Sequence, residues 1–256
     1  MVLAVIALVP RLFSAARNKF LPIATAVLCL GLLAGSRSAT AFAAGLVAIV
    51  IGLSASLWFS PRTQASGRVA ILAFAVATTA IASVVAFQPD LALGLLGRSS
   101  TLTGRTDFWP YLIQAIGDRP LLGYGYNAFF GSSVGNEYLS YYVVEAGGWT
   151  PYHAHDTFLQ IAIDGGFIGL GLLAAVLIGA IVRCWRYIAR QRELAAAWPL
   201  MVVLFLTLGS YTETYLGNCN TFEWIFFVAA ILYPIRGRAA VGSSTPIRFA
   251  PHYHPQ

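Results

Sequence analysis

This chain turns polar at GRTDFWPYLIQAIGDRPLLGYGYNAFF (residues 104–130) and returns to an apolar run through YHAHDTFLQIAIDGGFIGLG (residues 152–171). Elsewhere it consists largely of apolar runs long enough to cross a bilayer. The polar stretch gathers charged and titratable side chains, namely Arg105, Asp107, Arg119, His153, His155 and Asp156. We therefore expect any chemistry of this protein to reside there.

The composition identifies an integral membrane protein. Of the 256 residues, 58% are hydrophobic and 10% are charged, whereas a soluble domain carries about 25% charged residues. The mean hydropathy is +0.71. The net charge of +6 is scattered rather than gathered on one face, which excludes a nucleic-acid partner. The cysteines, Cys29, Cys184 and Cys219, lie far apart and predict neither a disulfide framework nor a metal site.

Six apolar runs predict transmembrane helices, for which one crossing needs about 20 residues; the last two runs are short and need tilt, snorkelling flanks or local thinning of the bilayer. They cover residues 20–34, 39–59, 69–87, 158–182, 198–211 and 222–235. A further apolar piece, Met1 to Val9, is too short to span and has no small-residue cleavage site after it. We interpret it as an interfacial piece or as the stub of a longer helix. The predicted fold is an all-α, polytopic transmembrane bundle with about six spans, this N-terminal stub and a large, partly helical outward loop.

The basic residues predict the orientation, because Lys and Arg concentrate in cytoplasmic loops. If every run crosses, only four of the sixteen Lys and Arg fall on one side: Arg37, Arg98, Arg105 and Arg119. That side is predicted to face outward. We expect one membrane domain, 1–256, in which the loop 88–157 carries the catalytic groups. The Pro/Ser/Gly-rich tail, 236–256, is predicted to be cytoplasmic and disordered.

Arg37 lies where two apolar runs meet, in Gly35-Ser-Arg-Ser38. A charge near membrane depth is costly, so it usually faces a cavity or a partner. Two interpretations are open. Arg37 either snorkels to the headgroups at a helical hairpin or binds phosphate oxygens bidentately through its guanidinium.

Arg105 is predicted to open a short helix. Thr103 or Thr106 is its predicted cap, and the helix reaches to about Ile116, with Gly117 as its stop. Its apolar stripe comprises Phe108, Trp109, Leu112, Ile113 and Ile116, so the helix is expected to lie on the membrane surface. Arg105 then occupies the first turn, where the helix dipole disfavours a cation. Its partner is either Asp107 or an anionic ligand.

The segment His153-Ala-His-Asp156 directly precedes the fourth span. Asp156 or His155 is predicted to cap that helix. Both imidazoles would then lie at its positive end, which lowers their pKa and keeps them neutral. A neutral histidine can take a proton from an incoming hydroxyl. The alternatives are interfacial histidines that bind water, or a zinc site, for which His-x-His lacks a third ligand.

Together, two arginines and a helix N-terminus suit an anionic leaving group such as phosphate. No Asp-x-Asp or similar acidic cluster offers to hold a divalent ion. We predict no metal and no cofactor.

These same stretches resemble the O-antigen ligase and O-antigen (exopolysaccharide) polymerase superfamily of bacterial membrane proteins. The likeness rests on four pieces, which also follow one another in the order seen in that superfamily. They are Gly35-Ser-Arg-Ser-Ala39; Gly104-Arg-Thr-Asp-Phe-Trp109 with Arg119-Pro-Leu-Leu-Gly-Tyr-Gly125; His153-Ala-His-Asp156 with Gly165-Gly-Phe-Ile-Gly169; and Thr212-Glu213 before Asn220 and Trp224.

The resemblance implies a metal-independent, inverting glycosyltransferase on the outer (periplasmic) face of the bacterial inner membrane. Its donor would be a glycan on a polyprenyl diphosphate, and its acceptor a glycan or a lipid A core. Membrane lipid surrounds it, and other polysaccharide-assembly proteins are implied as partners.

By the same resemblance, Arg37 and Arg105 hold the diphosphate and His155 is the general base. Glu213 matches a recurrent acidic position, and Asp156 stands where the family usually has asparagine. The residues expected to bind substrate are Arg119, His153, Asp156, Glu213 and Trp109.

The sequence leaves two questions open. The first is whether the protein is a ligase or a polymerase. The two differ in their acceptor, which the aromatic loop 127–152 would contact. The second is the class of function. The alternatives to an enzyme are an inactive or accessory membrane subunit of a polysaccharide assembly system, and a carrier of anionic lipid.

Overall fold

The computed structural model describes residues 1–12, 19–35, 39–87, 107–145, 150–218 and 221–242. Within them the chain is all-α, as predicted, and contains no strand. The helices are α1 (Val2–Leu12), α2 (Phe20–Gly35), α3 (Ala39–Phe59), α4 (Ala65–Phe87), α5 (Trp109–Asp118), α6 (Ser133–Glu145), α7 (Thr157–Gln191), α8 (Trp198–Gly209) and α9 (Phe222–Gly242). A short 3-10 turn, Leu194–Ala197, leads into α8.

Each of the six predicted spans coincides with a helix: α2, α3, α4, α7, α8 and α9. Two segments, Thr40–Phe59 and Thr157–Gln191, are long and apolar enough to cross a bilayer, and the apolar parts of the other described helices, such as Ala65–Ala80 in α4 and Phe222–Ile235 in α9, are shorter. The number of crossings therefore stays a prediction. The outer faces of α2 and α4 fit a lipid environment, since they expose large apolar side chains such as Leu21, Leu28 and Phe74. In water such a surface would aggregate.

The N-terminal stub is a helix inside the bundle and not an interfacial piece. Ile6 of α1 is fully buried, and Val2, Leu3 and Val9 are nearly so. They join one core with α3, α8, α9 and the second half of α7. Apolar side chains spaced along one face of a short helix gain more by packing between helices than by lying in the headgroups.

The segment that is predicted to face outward forms a second core of its own, which we call the outward core and in which α5, α6 and the first half of α7 meet. Its buried members include Phe108, Leu112, Phe129, Leu139 and Ile163. The predicted membrane-surface stripe was therefore wrong: Phe108, Leu112 and Ile116 face protein, and only its edge residue Ile113 is well exposed.

The start of α5 also differs from the prediction. The helix begins at Trp109 with Phe108 as its N-cap and Pro110 in the first turn, a position that suits proline because its missing N–H has no partner there. Arg105, and the proposed caps Thr103 and Thr106, lie outside the described residues.

A break at Gly166 divides α7. Gly166 has φ 61° and ψ −160°, a region accessible almost only to glycine. Thirty-five residues of straight helix would measure about 50 Å, well beyond the roughly 30 Å hydrocarbon core. The break lets residues 157–165 pack into the outward core while residues 167–191 have a length suited to a crossing.

At its C-terminal end the chain departs from the predicted tail boundary, because α9 continues past residue 236 to Gly242. Residues 243–256 lie outside the described part.

Candidate active site

The candidate site is the turn that carries His153 and His155 into α7. Asp156 is the N-cap, with extended backbone, and its Oδ1 accepts a hydrogen bond from the Leu159 amide at 2.8 Å. The preceding His155 has φ 53°, a left-handed conformation that is unusual for a residue with a β carbon. Such backbone persists where surrounding contacts fix it, and it is concentrated at functional sites.

Contacts from two helices fix Ala154, which lies between the histidines and is fully buried. Its amide donates to Gln160 Oε1 at 3.0 Å. Its carbonyl accepts from Trp109 Nε1 at 2.9 Å. Gln160 in turn donates to Asp164 Oδ2 at 3.1 Å. Side chains of α5 and α7 thus hydrogen-bond to both backbone groups of Ala154, which fixes the turn between the two histidines.

The two histidines contact each other. The backbone amide of His155 donates to His153 Nδ1 at 3.0 Å, and the ring centroids lie 3.8 Å apart. In this bond Nδ1 of His153 is the acceptor, so Nε2 is the ring nitrogen that remains to donate a proton. The edge of the exposed Tyr152 ring packs against His153, with 4.4 Å between centroids.

Glu213 brings a carboxylate to His155. Its Oε2 lies 3.9 Å from His155 Nδ1, and its side chain is 38% exposed while that of His155 is 11% exposed. This distance allows a charge interaction but exceeds a direct hydrogen bond. A carboxylate beside Nδ1 favours a proton on that nitrogen, so that Nε2 carries the lone pair that a base needs.

Thr157 ties the Glu213 segment to the start of α7. Its hydroxyl donates to the Glu213 carbonyl oxygen at 3.0 Å and accepts from the Leu216 amide at 3.4 Å. Its backbone amide donates to the Ser210 carbonyl at 2.8 Å. The histidine turn and the α8–α9 connection therefore form one unit.

The first amides of α7 are already used by the protein. That of Thr157 bonds to Ser210, and those of Phe158 and Leu159 bond to Asp156. The prediction that this helix N-terminus suits a phosphate is therefore not supported. Burial raises the pKa of Asp156 above its usual range, while these backbone hydrogen bonds lower it to a smaller extent.

Among the residues singled out from the sequence, His153, His155, Asp156 and Glu213 converge at the start of α7. Trp109 reaches the turn only through the Ala154 carbonyl. Arg37 and Arg105 lie outside the described residues, so their predicted roles stay predictions.

Arg119 belongs to a neighbouring cluster at the end of α5. Its guanidinium carbon lies 4.9 Å above the centre of the Tyr124 ring. Tyr124 hydrogen-bonds to Tyr138, whose hydroxyl donates to the Asp118 carboxylate. This bond is the largest cause of the raised pKa of Tyr138. Arg119 thus lies over Tyr124 at the edge of the outward core and not at the histidine turn.

Sequence reasoning missed Thr157 and Gln160, the groups that hold the turn. The available signal was their position, at the first and fourth residues of a helix with a strong aspartate cap. The described residues hold no cluster of three side chains able to ligate a metal.

Comparison with known proteins points to polysaccharide assembly. A sequence model of the O-antigen ligase family matches residues 22–174, more than half of the chain. The exopolysaccharide production protein ExoQ of Rhizobium meliloti (strain 1021) is 29% identical over 214 residues, which cover 80% of this chain and 48% of that protein. The chain thus spans about half the length of this relative. No solved structure matches this chain.

Proposed function

Because the chain belongs to the O-antigen ligase family, we propose that it is an inner-membrane glycosyltransferase of polysaccharide assembly. It moves a glycan from a polyprenyl diphosphate to the hydroxyl of an acceptor sugar. The similarity to an exopolysaccharide production protein supports a glycan acceptor over a lipid A core, and hence a polymerase over a ligase.

The observation that carries the proposal is the contact of His155 with Glu213 at the start of α7. In the proposed reaction His155 Nε2 takes the proton of the acceptor hydroxyl while the oxygen of that hydroxyl attacks the anomeric carbon of the donor glycan. The bond from that carbon to the diphosphate oxygen breaks, and the diphosphate leaves with the electron pair. Attack from the opposite face inverts the anomeric centre.

Glu213 would stabilise the imidazolium that forms on His155. The 3.9 Å separation must shorten by about 1 Å for a hydrogen bond, and such tightening is common when substrate binds. His153 and Asp156 act as positioning residues in this scheme. His153 accepts a hydrogen bond from the His155 amide, and Asp156 caps the helix. The exposed Tyr152 ring is suited to stack on a sugar.

Arg37 and Arg105 are proposed to hold the diphosphate. Guanidinium groups bind phosphate oxygens bidentately and offset the charge that develops on the leaving group. The first amides of α7 already hydrogen-bond to Asp156 and Ser210. This supports the assignment, because a diphosphate that those amides do not bind needs other donors, and the arginines can supply them. Arg119 and Trp109 are proposed to contact the glycan.

The test uses membranes that contain the full chain and a polyprenyl-diphosphate-linked repeat unit. His155→Ala should lower the rate of glycan transfer by about 10²- to 10⁴-fold, the usual contribution of a general base. Trp198→Phe, in the bundle and away from the turn, serves as a control for membrane insertion. Transfer by His155→Ala within threefold of the wild type would remove the proposed base.

The lipid-linked products in cells distinguish the two acceptors. Loss of a polymerase leaves single repeat units on the carrier, whereas loss of a ligase leaves long chains on it. We expect single repeat units when the gene is deleted. Long carrier-linked chains would assign the protein as a ligase instead.

A further inference from the structure

A cavity lined by arginines lies at the opposite end of α7 from His155. This cavity of about 480 Å³ opens between α7 and α9. Arg183, Arg186, Tyr187 and Arg190 line it from α7, and Pro234 and Ile235 line it from α9. Its volume falls within the 300–1,000 Å³ of small-molecule sites. From these features we infer that the cavity binds the phosphate headgroup of an anionic phospholipid.

The three arginines share one face because they are spaced three and four residues apart. In the described part of the chain, no carboxylate is among the residues that line the cavity. Glu193 is the only carboxylate in the sequence between residues 165 and 212, and the C-terminal dipole of α7 supplies roughly half a negative charge. Three guanidinium groups therefore exceed about one and a half compensating charges. This excess of positive charge favours an anionic ligand in the cavity.

The position of the cavity selects a lipid over a free anion. Arg186 lies 19 residues beyond Phe167, the first residue after the break, which is about 30 Å along the helix and matches the hydrocarbon thickness. Val182 and Ile235, which also line the cavity, are 41% and 46% exposed. One wall is therefore apolar and suited to acyl chains while the arginines surround the headgroup. Basic pockets between membrane helices recognise lipid headgroups in this way.

Arginines that merely snorkel to an interface would bind lipid without a defined site. The difference here is a cavity between two helices with room made by Gly179, at which a β carbon would meet no atom within 4 Å. The site is distinct from the histidine turn, so it does not depend on the glycosyl transfer proposed above.

The experiment uses the full chain, purified in a neutral detergent and titrated with phosphatidylglycerol in mixed micelles. Native mass spectrometry counts the bound lipid, and the thermal midpoint reports its effect. We expect saturable binding of phosphatidylglycerol, and no comparable binding of phosphatidylcholine. Arg186→Gln and Arg190→Gln should each weaken binding about fivefold, the usual contribution of one basic residue near a membrane surface.

Arg192→Gln is the matched control, since it removes one charge at the same helix end but does not line the cavity. It should leave the affinity unchanged. Gly179→Leu tests the cavity without altering charge and should also weaken binding, which keeps the test independent of any misfolding of the arginine variants. Equal weakening by Arg192→Gln would overturn the site in favour of general attraction. Displacement of phosphatidylglycerol by an equal concentration of inorganic phosphate would overturn the lipid assignment.

Discussion

Gly166 lies against the carbonyl group of Leu121, so closely that a β carbon at Gly166 would be 2.3 Å from that oxygen. Beside this contact, the amides of Phe167 and Ile168 donate to the carbonyls of Pro120 and Leu121 at 2.7 and 3.2 Å. The loop after α5 thus satisfies the backbone amides that the break in α7 leaves without helical partners. This backbone contact sets the direction of the half-helix that carries the histidine turn.

Gly166→Ala is expected to destabilise the protein by about 3 kcal/mol, since the new methyl group meets backbone atoms and φ 61° strains any residue with a β carbon. Thermal unfolding of the purified chain measures the loss. Gly165→Ala is the neighbouring control, because a β carbon there meets no atom within 4 Å, and it should change stability by less than about 1 kcal/mol. Equal losses in the two variants would mean that the Leu121 contact does not fix the break.

Much of the bundle could be predicted because its helices depend on apolar composition alone. The runs at 39–59 and 222–235 are read from hydropathy without any tertiary contact, and they coincide with α3 and the first part of α9. The Asp156 cap was predictable for a similar reason, since it depends on a side chain and an amide three residues away.

The sequence predicts the short helix that corresponds to α5, but the rest of the outward core was not predictable, because it depends on long-range packing. Helix α6 carries Gly135 and Asn136 in its first turns, which weaken a helix in isolation. The Ser132 hydroxyl caps it by accepting from the Gly135 amide at 3.0 Å, a local signal that sequence reasoning passed over. The bond from Trp109 to Ala154 joins residues 45 apart, and no pattern in the sequence indicates such a contact.

Thr157→Val is expected to loosen the connection between α8 and α9. Valine keeps the shape of threonine but removes the hydroxyl, leaving the Glu213 carbonyl and the Leu216 amide without this bond, at about 1–3 kcal/mol. Hydrogen exchange of residues 211–218 measures the change. Thr207→Val is the control, because its hydroxyl bonds only to the Val203 carbonyl within α8. The interpretation fails if exchange in this segment is the same in both variants.

Trp109→Phe is expected to reduce glycan transfer while the protein still folds. Phenylalanine retains an apolar ring but cannot donate to the Ala154 carbonyl, which removes one of the two hydrogen bonds that side chains make to Ala154. A loss of about 1.4 kcal/mol in positioning corresponds to a tenfold lower rate. The rate is compared with that of Trp198→Phe, whose indole packs on Tyr233 inside the bundle. A rate for Trp109→Phe equal to that of the control would show that this bond does not position the histidines.

The stability of the chain should depend on the charge of Asp156. Burial, the largest influence, raises the pKa of this carboxyl from its ordinary value of 3.8. An acid whose pKa is raised on folding binds its proton more tightly in the folded state. Its contribution to stability is therefore fully present below pH 3.8 and is lost as the pH rises through the folded-state pKa.

Asp156→Asn keeps an N-cap of similar strength and removes this titration. We expect the variant and the wild type to unfold at similar temperatures near pH 3.5, and the variant to unfold at a higher temperature at pH 7. Asp156→Ala also lacks the carboxyl but loses the cap, so it should follow the asparagine variant across the pH range at about 1 kcal/mol lower stability. Thermal midpoints of the three proteins between pH 3.5 and pH 8 measure these differences. A constant difference in thermal midpoint between Asp156→Asn and the wild type from pH 3.5 to pH 8 would show that the buried carboxyl does not titrate in that range.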